Sequence, residues 1–166
     1  MIKKISLIFC ISTLLWNVTA YGQNEKFKAL FIYNFTNYID WPSGSSGNFV
    51  ITVLGDSPIV GELQAISKIK KVNNRPIEVK KVASIAEIGK TQILFVPSNK
   101  KKFLPDVAAA MAGKPVLIVT DNAAGDFGTN FVEVDQKQSF QVSKSNIESH
   151  KLKVSSTLLT LGIAVN

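Results

Sequence analysis

Few side chains in this sequence could do chemistry, and they are not arranged for it. His150 is the only histidine, so a serine triad or a histidine-based metal site would depend on it alone. Ser57 follows Asp56, but Ile59 stands where a nucleophile elbow requires glycine. The sequence shows neither a phosphate-binding loop nor a dinucleotide-binding fingerprint. We therefore expect no enzyme, cofactor or metal site, and we expect His150 to be an exposed residue between two helical segments.

The loop Asn122–Thr129 is better placed for a function in binding. It follows the most apolar predicted strand, which Asp121 closes, and it holds Phe127 between Asp126 and Gly128. Loops at the carboxyl ends of the strands of open α/β sheets often bind ligands and partners. Phe127 could either anchor a partner or tuck into the core, and the sequence leaves both alternatives open.

Lys100, Lys101 and Lys102 precede a predicted helix, Phe103–Ala112. Lysines are unfavourable at the positive N-terminus of a helix. They are either a solvated run or a contact patch for an acidic partner. The candidate partner-binding residues are Phe127, Asp126, Asp121, Lys100, Lys101 and Lys102.

Phe27–Pro42 is the element around which the rest is organised. Its apolar residues recur every three or four positions and predict an amphipathic helix of about three turns; they are Phe27, Leu30, Phe31, Phe35, Tyr38 and Ile39. Asn34 lies within this stripe, so we expect a buried amide that binds a nearby loop. The alternative is that Asn34 and Tyr33 face a ligand.

Strands and helices alternate along the rest of the chain. The predicted strands are Phe49–Leu54, Pro76–Val82, Thr91–Val96 and Val116–Thr120, followed by a hairpin of Phe131–Val134 and Phe140–Val142. The other predicted helices are Pro58–Ser67, Phe103–Ala112 and Leu152–Val165. This order predicts a single three-layer α/β domain, with a mostly parallel central sheet, helices on both faces and an antiparallel edge hairpin.

Residues 1–22 have the layout of a secretory signal peptide. Lys3 and Lys4 precede an apolar run, Ile5–Trp16, and small residues follow near Gly22. We expect cleavage to leave residues 23–166 in the periplasm with no stable membrane insertion; an uncleaved anchor is the alternative. Cleavage would also remove Cys10, the only cysteine, and so exclude disulfide and thiol chemistry.

The charge balance is basic. Loss of Lys3 and Lys4 would lower the formal net charge from +7 to +5. A basic protein often binds nucleic acid, but export makes that partner unsuitable. We expect the positive charge to meet anionic lipid headgroups or an acidic protein surface, or to keep the protein in solution.

The opening helix resembles that of the YfiR-like family of small secreted bacterial proteins. The matching residues are Phe31, Tyr33, Asn34, Phe35, Tyr38, Trp41 and Pro42. Three later segments are similar to family segments in the same order, and they are Gly55–Pro58, Lys114–Asp121 and Leu152–Leu161. Thr91-Gln92 departs from the pattern, because relatives tend to carry a cysteine and an aspartate there. The resemblance covers nearly all of residues 23–166.

The resemblance implies a regulatory function. It predicts a periplasmic protein that binds and represses the sensor region of an inner-membrane signalling protein. The partner would be a diguanylate cyclase, which makes cyclic-di-GMP, or a histidine kinase. A periplasmic small-molecule-binding protein and a small secreted hydrolase are the alternatives, and a homodimer is compatible with each.

Overall fold

The computed structural model describes residues 16–42 and 47–165, in which helices and strands alternate. The helices are α1 (Trp16–Phe35), α2 (Ile59–Ile69), α3 (Leu104–Met111), α4 (Lys144–Ser149) and α5 (Ser156–Leu161). The strands are β1 (Ile39–Asp40), β2 (Phe49–Leu54), β3 (Lys71–Val72), β4 (Arg75–Val82), β5 (Ile93–Val96), β6 (Leu117–Asp121), β7 (Thr129–Val134), β8 (Lys137–Ser143), β9 (Lys153–Val154) and β10 (Ile163–Val165). Two 3-10 segments, Ile85–Glu87 and Ser98–Phe103, lie in the connections.

Eight of the strands form one mixed sheet in the order β10-β8-β7-β6-β5-β2-β4-β3. Strands β2, β4, β5, β6 and β7 run parallel, whereas β7 and β8 are antiparallel. Asp135 and Gln136 join β7 to β8 with positive φ angles of 49° and 60°, as a tight two-residue hairpin turn requires. The predicted parallel sheet with its antiparallel hairpin is therefore confirmed. Strands β1 and β9 form a separate small antiparallel sheet.

Alternation along the strands creates a core on each face of the sheet. In β5, Ile93 and Phe95 join one cluster, and Leu94 and Val96 join the other. The first cluster includes the buried residues of α1 and α2, and the second includes those of α3. Helices therefore cover both faces, as the sequence predicted.

The first helix differs from its prediction in extent and register. It ends at Phe35 and not at Pro42, because a turn follows it and Ile39–Asp40 pairs with β9. Its buried side carries Ala29, Ile32 and Phe35, whereas Leu30 is 48% exposed. The predicted apolar stripe through Leu30 is therefore wrong, and Lys28 takes a place on the buried side.

The C-terminal segment is not the continuous helix that was predicted over Leu152–Val165. Only Ser156–Leu161 is helical, and the Ser155 Oγ caps it by accepting a hydrogen bond from Leu158 N–H (3.2 Å). At Gly162 a Cβ atom would collide with Phe140 and Val142. Because glycine allows this close packing, Ile163–Val165 can pair with β8. Ile163 and Val165 are β-branched, which favours a strand.

Candidate functional site

The carboxyl ends of β2, β5 and β6 meet at a small cleft. Helix α2 connects β2 to β4 on one face of the sheet, and α3 connects β5 to β6 on the other. The connections therefore diverge between β2 and β5, which is where open α/β sheets form a binding crevice. The cleft encloses about 200 Å³, and its lining includes Asn24, Glu25, Lys28, Asp56, Ser57, Ser98, Asn99 and Asp121. We call it the switch-point cleft.

A buried ammonium group forms one wall of this cleft. Lys28 of α1 is 7% exposed, and its Nζ lies 2.9 Å from Asp121 Oδ2 and 3.1 Å from Glu25 Oε1. Burial alone would lower the pKa of Lys28, but hydrogen bonds and charge from Asp121 and Glu25 outweigh it and leave that pKa raised. The ammonium group is therefore held charged between two carboxylates, and it ties α1 to the end of β6.

A second ion pair lies on the outer rim. Asp56 accepts a hydrogen bond from Lys81 Nζ (2.6 Å), and that bond and the charge of Lys81 lower the pKa of Asp56. The side chain of Lys100 lies directly over Gly55, where any Cβ atom would collide with it. Gly55 has φ +82°, so its backbone also favours glycine. Lys81 and Lys100 thus lie beside Asp56 and Gly55, just outside the lining of the cleft.

The loop Asn122–Thr129 is fixed at its base by one buried amide. Asn130 Oδ1 accepts hydrogen bonds from Thr120 Oγ1 (2.8 Å) and Ala123 N–H (3.0 Å). Its Nδ2 donates to Ala123 O (3.0 Å) and Gln141 Oε1 (2.9 Å). The loop is therefore held by a rigid scaffold, which suits a binding function.

Phe127 combines the two predicted alternatives, a residue that packs in the core and a residue that faces a partner. Its ring lies against Gly125 and packs on the second core cluster, which includes Ile118 and Val107. The side chain is half-buried, so one side supports the loop and the other faces outwards. Asp126, its neighbour, is exposed, and its carbonyl accepts a hydrogen bond from Asn146 Nδ2 (2.9 Å).

The three predicted lysines lie in the 3-10 segment after β5. Lys101 and Lys102 are exposed and Lys100 is half-buried. The Nζ atoms of Lys100 and Lys102 lie 5.7 Å and 5.0 Å from the centre of the Phe103 ring. None of the three forms an ion pair with another described residue.

The fold brings Lys100–Lys102 and Asp121 to the carboxyl edge of the sheet, whereas Asp126 and Phe127 lie where the loop returns toward the amino end of β6, since Gly128 packs against Leu117 and the Ile118 carbonyl. Strands β5 and β6 are neighbours, and Lys100–Lys102 follows β5 whereas Asp121, Asp126 and Phe127 follow or end β6. Asn34 is not part of this edge. It is half-buried on α1, and its amide makes no hydrogen bond with another residue that the structure describes.

Three buried polar residues depart from what the sequence suggested, and they are His150, Glu25 and Lys28. His150 is 6% exposed, and its Nδ1 lies 3.0 Å from the carbonyl oxygen of Lys114, so the prediction of an exposed histidine is wrong. That carbonyl gives the ring a polar partner in a buried position. Sequence reasoning also missed Glu25 and Lys28. Their spacing of three on a helix was the available signal, since it places both on one side with Ile32.

The described residues offer little else for chemistry or membrane insertion. In residues 16–42 and 47–165, no group of three histidine, cysteine or acidic side chains could hold a metal ion. Within the same ranges, no helix has the length and apolar character needed to cross a membrane.

A known protein family matches nearly the whole of the chain. The model for YfiR/HmsC-like proteins matches residues 25–163, from Glu25 at the cleft to Ile163 in β10. No curated protein shows a significant match to the chain. Because the family model covers far more than half of the sequence, the chain belongs to the YfiR/HmsC-like family.

Proposed function

We propose that this protein is a periplasmic regulator of cyclic-di-GMP signalling that binds and represses the sensor region of an inner-membrane signalling protein. The observation that carries the proposal is the family match over residues 25–163. The secretory layout of residues 1–22 supports the location. A diguanylate cyclase is the partner that fits cyclic-di-GMP signalling most directly.

The partner-binding residues in this proposal are Lys100–Lys102 and Asp121 at the carboxyl edge of the sheet, and Asp126 and Phe127 in the loop that follows β6. Lys101 and Lys102 are exposed and free of ion pairs with the described residues, so they can meet carboxylates of the partner. Phe127 offers a half-exposed aromatic ring on the loop that follows β6, and aromatic side chains dominate many interfaces. A partner surface that carries both acidic groups and an apolar patch is the complement of these residues.

The location and the interaction have separate tests. Protein released from cells by osmotic shock should have an N-terminal sequence that starts at Gln23. That protein should then bind the isolated periplasmic region of an inner-membrane diguanylate cyclase from the same cell, measured by biolayer interferometry. Binding should weaken as salt is raised, because exposed lysines supply part of the attraction. Retention of the full chain in the membrane fraction would contradict the location, and no binding to any such cyclase would contradict the function.

A further inference from the structure

A second cleft lies at the opposite, amino-terminal edge of the sheet. It encloses about 220 Å³ between the half-buried Trp41 and the segments that lead into β5 and β6. Trp41, Met111 and Pro115 contribute apolar surface, and Lys90, Gln92 and Lys114 contribute polar groups. We call it the amino-edge cleft. Its volume is below the range of about 300–1,000 Å³ that suits drug-sized ligands, so it fits a small molecule.

Gln92 gives this cleft a fixed hydrogen-bond donor. The residue is only 4% exposed, and its backbone N–H donates to Val50 O (3.0 Å) while its carbonyl accepts from Leu117 N–H (2.9 Å). Its side-chain Oε1 accepts from Val50 N–H (2.7 Å). Because that backbone group is a donor, the amide atom facing it must be the oxygen. The amide nitrogen is thus directed elsewhere, and it donates to no other described residue.

The charges around the cleft are all positive. Lys90 and Lys114 are exposed, and neither forms an ion pair with a residue that the structure describes. The lining contains no acidic side chain among the described residues. A cleft lined by a buried amide and two exposed lysines is suited to a carboxylate, which only accepts hydrogen bonds when ionised.

The apolar side chains that line the cleft determine what the uncharged part of the ligand can be. The Trp41 indole Nε1 donates to Gln92 O (3.3 Å), which holds the ring beside Gln92. Met111 is 2% exposed and supplies an adaptable apolar surface. A ligand with a short aliphatic or aromatic body could therefore cover the indole while its charged end reaches Gln92.

We propose that the amino-edge cleft binds a small organic carboxylate. The carboxylate accepts a hydrogen bond from Gln92 Nε2 and lies near the ammonium groups of Lys90 and Lys114. The apolar body packs against Trp41, Met111 and Pro115. This site is separate from Lys100–Lys102, which follow the carboxyl end of β5, whereas Lys90 and Gln92 precede its amino end. It stands whether or not the proposed partner is correct.

Calorimetric titration of the purified protein with benzoate, phenylacetate and isovalerate tests the proposal. At least one should bind with a Kd of about 1 mM or tighter, and its neutral amide should bind at least about tenfold more weakly. Gln92→Glu keeps the acceptor for Val50 N–H but replaces the donor with a negative charge, so it should abolish binding.

Variants of the exposed lysines test the proposal without changing a buried residue. The double variant Lys90→Gln/Lys114→Gln should weaken binding about tenfold or more, whereas Lys68→Gln, an exposed lysine on α2, should leave it unchanged. Absence of binding by all three carboxylates would overturn the proposal. So would equal binding of a carboxylate and its amide, or equal weakening by Lys68→Gln and the double variant.

Discussion

Lys28 on α1 and Asp121 at the end of β6 lie 93 residues apart and form an ion pair of 2.9 Å in the wall of the switch-point cleft. Glu25 approaches the same ammonium group from one turn earlier on the helix. The contact joins the first helix to the strand that carries the Asn122–Thr129 loop. Any change in Lys28 therefore acts on the element that presents Asp126 and Phe127.

Replacement of Lys28 by methionine should destabilise the fold. The change leaves the carboxylates of Glu25 and Asp121 close together without their cation, and removal of one partner of a buried ion pair costs about 3–5 kcal/mol. Lys26→Met is the matched control, because Lys26 is exposed on the same helix. Urea unfolding of both variants measures the difference. Equal free energies of unfolding for the two variants would show that the ion pair contributes nothing.

The raised pKa of Lys28 predicts a loss of stability in alkali. The folded protein holds this proton more tightly than the unfolded chain, whose pKa is near 10.5. The contribution of Lys28 is therefore complete below that pH and is lost as the pH rises through the higher pKa of the folded state. In Lys28→Arg the guanidinium group stays protonated.

Unfolding midpoints of the parent and Lys28→Arg, measured at several pH values, isolate this effect. All groups other than residue 28 are common to both proteins, so the difference between the two carries the information. That difference should be constant below pH 10.5 and should move in favour of Lys28→Arg above it. A difference that stays constant throughout would contradict the role given to the Lys28 ammonium group.

Asn34→Leu should change the free energy of unfolding by no more than about 0.5 kcal/mol, as is usual for substitutions outside the core. The sequence placed this amide inside an apolar stripe, where its loss would leave partners unpaired. Asn34 is instead half-buried, and its amide has no hydrogen-bond partner among the described residues. Denaturant unfolding of the variant and the parent measures the change. A loss above about 1 kcal/mol would mean that the amide does hold a neighbour in place.

The strands were predictable because short apolar runs that are rich in β-branched residues and bounded by turn residues favour strands of a sheet covered on both faces. Phe49–Leu54 was predicted with the bounds that the structure shows. The register of α1 was not predictable from hydrophobicity, since the fold buries Lys28 and exposes Leu30. The pairing that makes Lys28 tolerable comes from Asp121, far away in sequence.

The helix predicted for the C-terminal segment was wrong for a different reason. Its residues are apolar on most sides, and such a run does not distinguish a buried helix from a strand. The deciding contacts are tertiary, namely the close packing at Gly162 and the pairing of Ile163 with Gln141 in β8. The placement of Lys100–Lys102 after β5 and of Asp121 at the end of the neighbouring β6 was predictable from strand order alone, whereas the cation in the cleft wall was not.

Phe127→Ala should lower the free energy of unfolding by about 2 kcal/mol, roughly half the cost of removing a fully buried phenylalanine. The reason is that one side of the ring packs on the second core cluster. Because the other side is free to meet a partner, binding should also weaken. Thermal unfolding and binding should be measured on the same preparation, well below the midpoint. Full stability with full binding would remove Phe127 from both roles.

In the proposed function, the protein represses cyclic-di-GMP synthesis by binding its partner through Lys101 and Lys102. Deletion of the gene should raise cellular cyclic-di-GMP, and the wild-type chain should restore the lower level. The variant Lys101→Glu/Lys102→Glu should fail to restore it, since both lysines are exposed and their reversal repels an acidic partner.

The matched control is Lys68→Glu/Lys70→Glu, which reverses two exposed lysines in the last turn of α2 and just beyond it. It should repress like the wild type. The decisive measurement is thus the cyclic-di-GMP content of the deletion strain carrying each of these three proteins at equal abundance. A high level only with Lys101→Glu/Lys102→Glu is the predicted result, and a level that does not respond to the deletion would contradict the account.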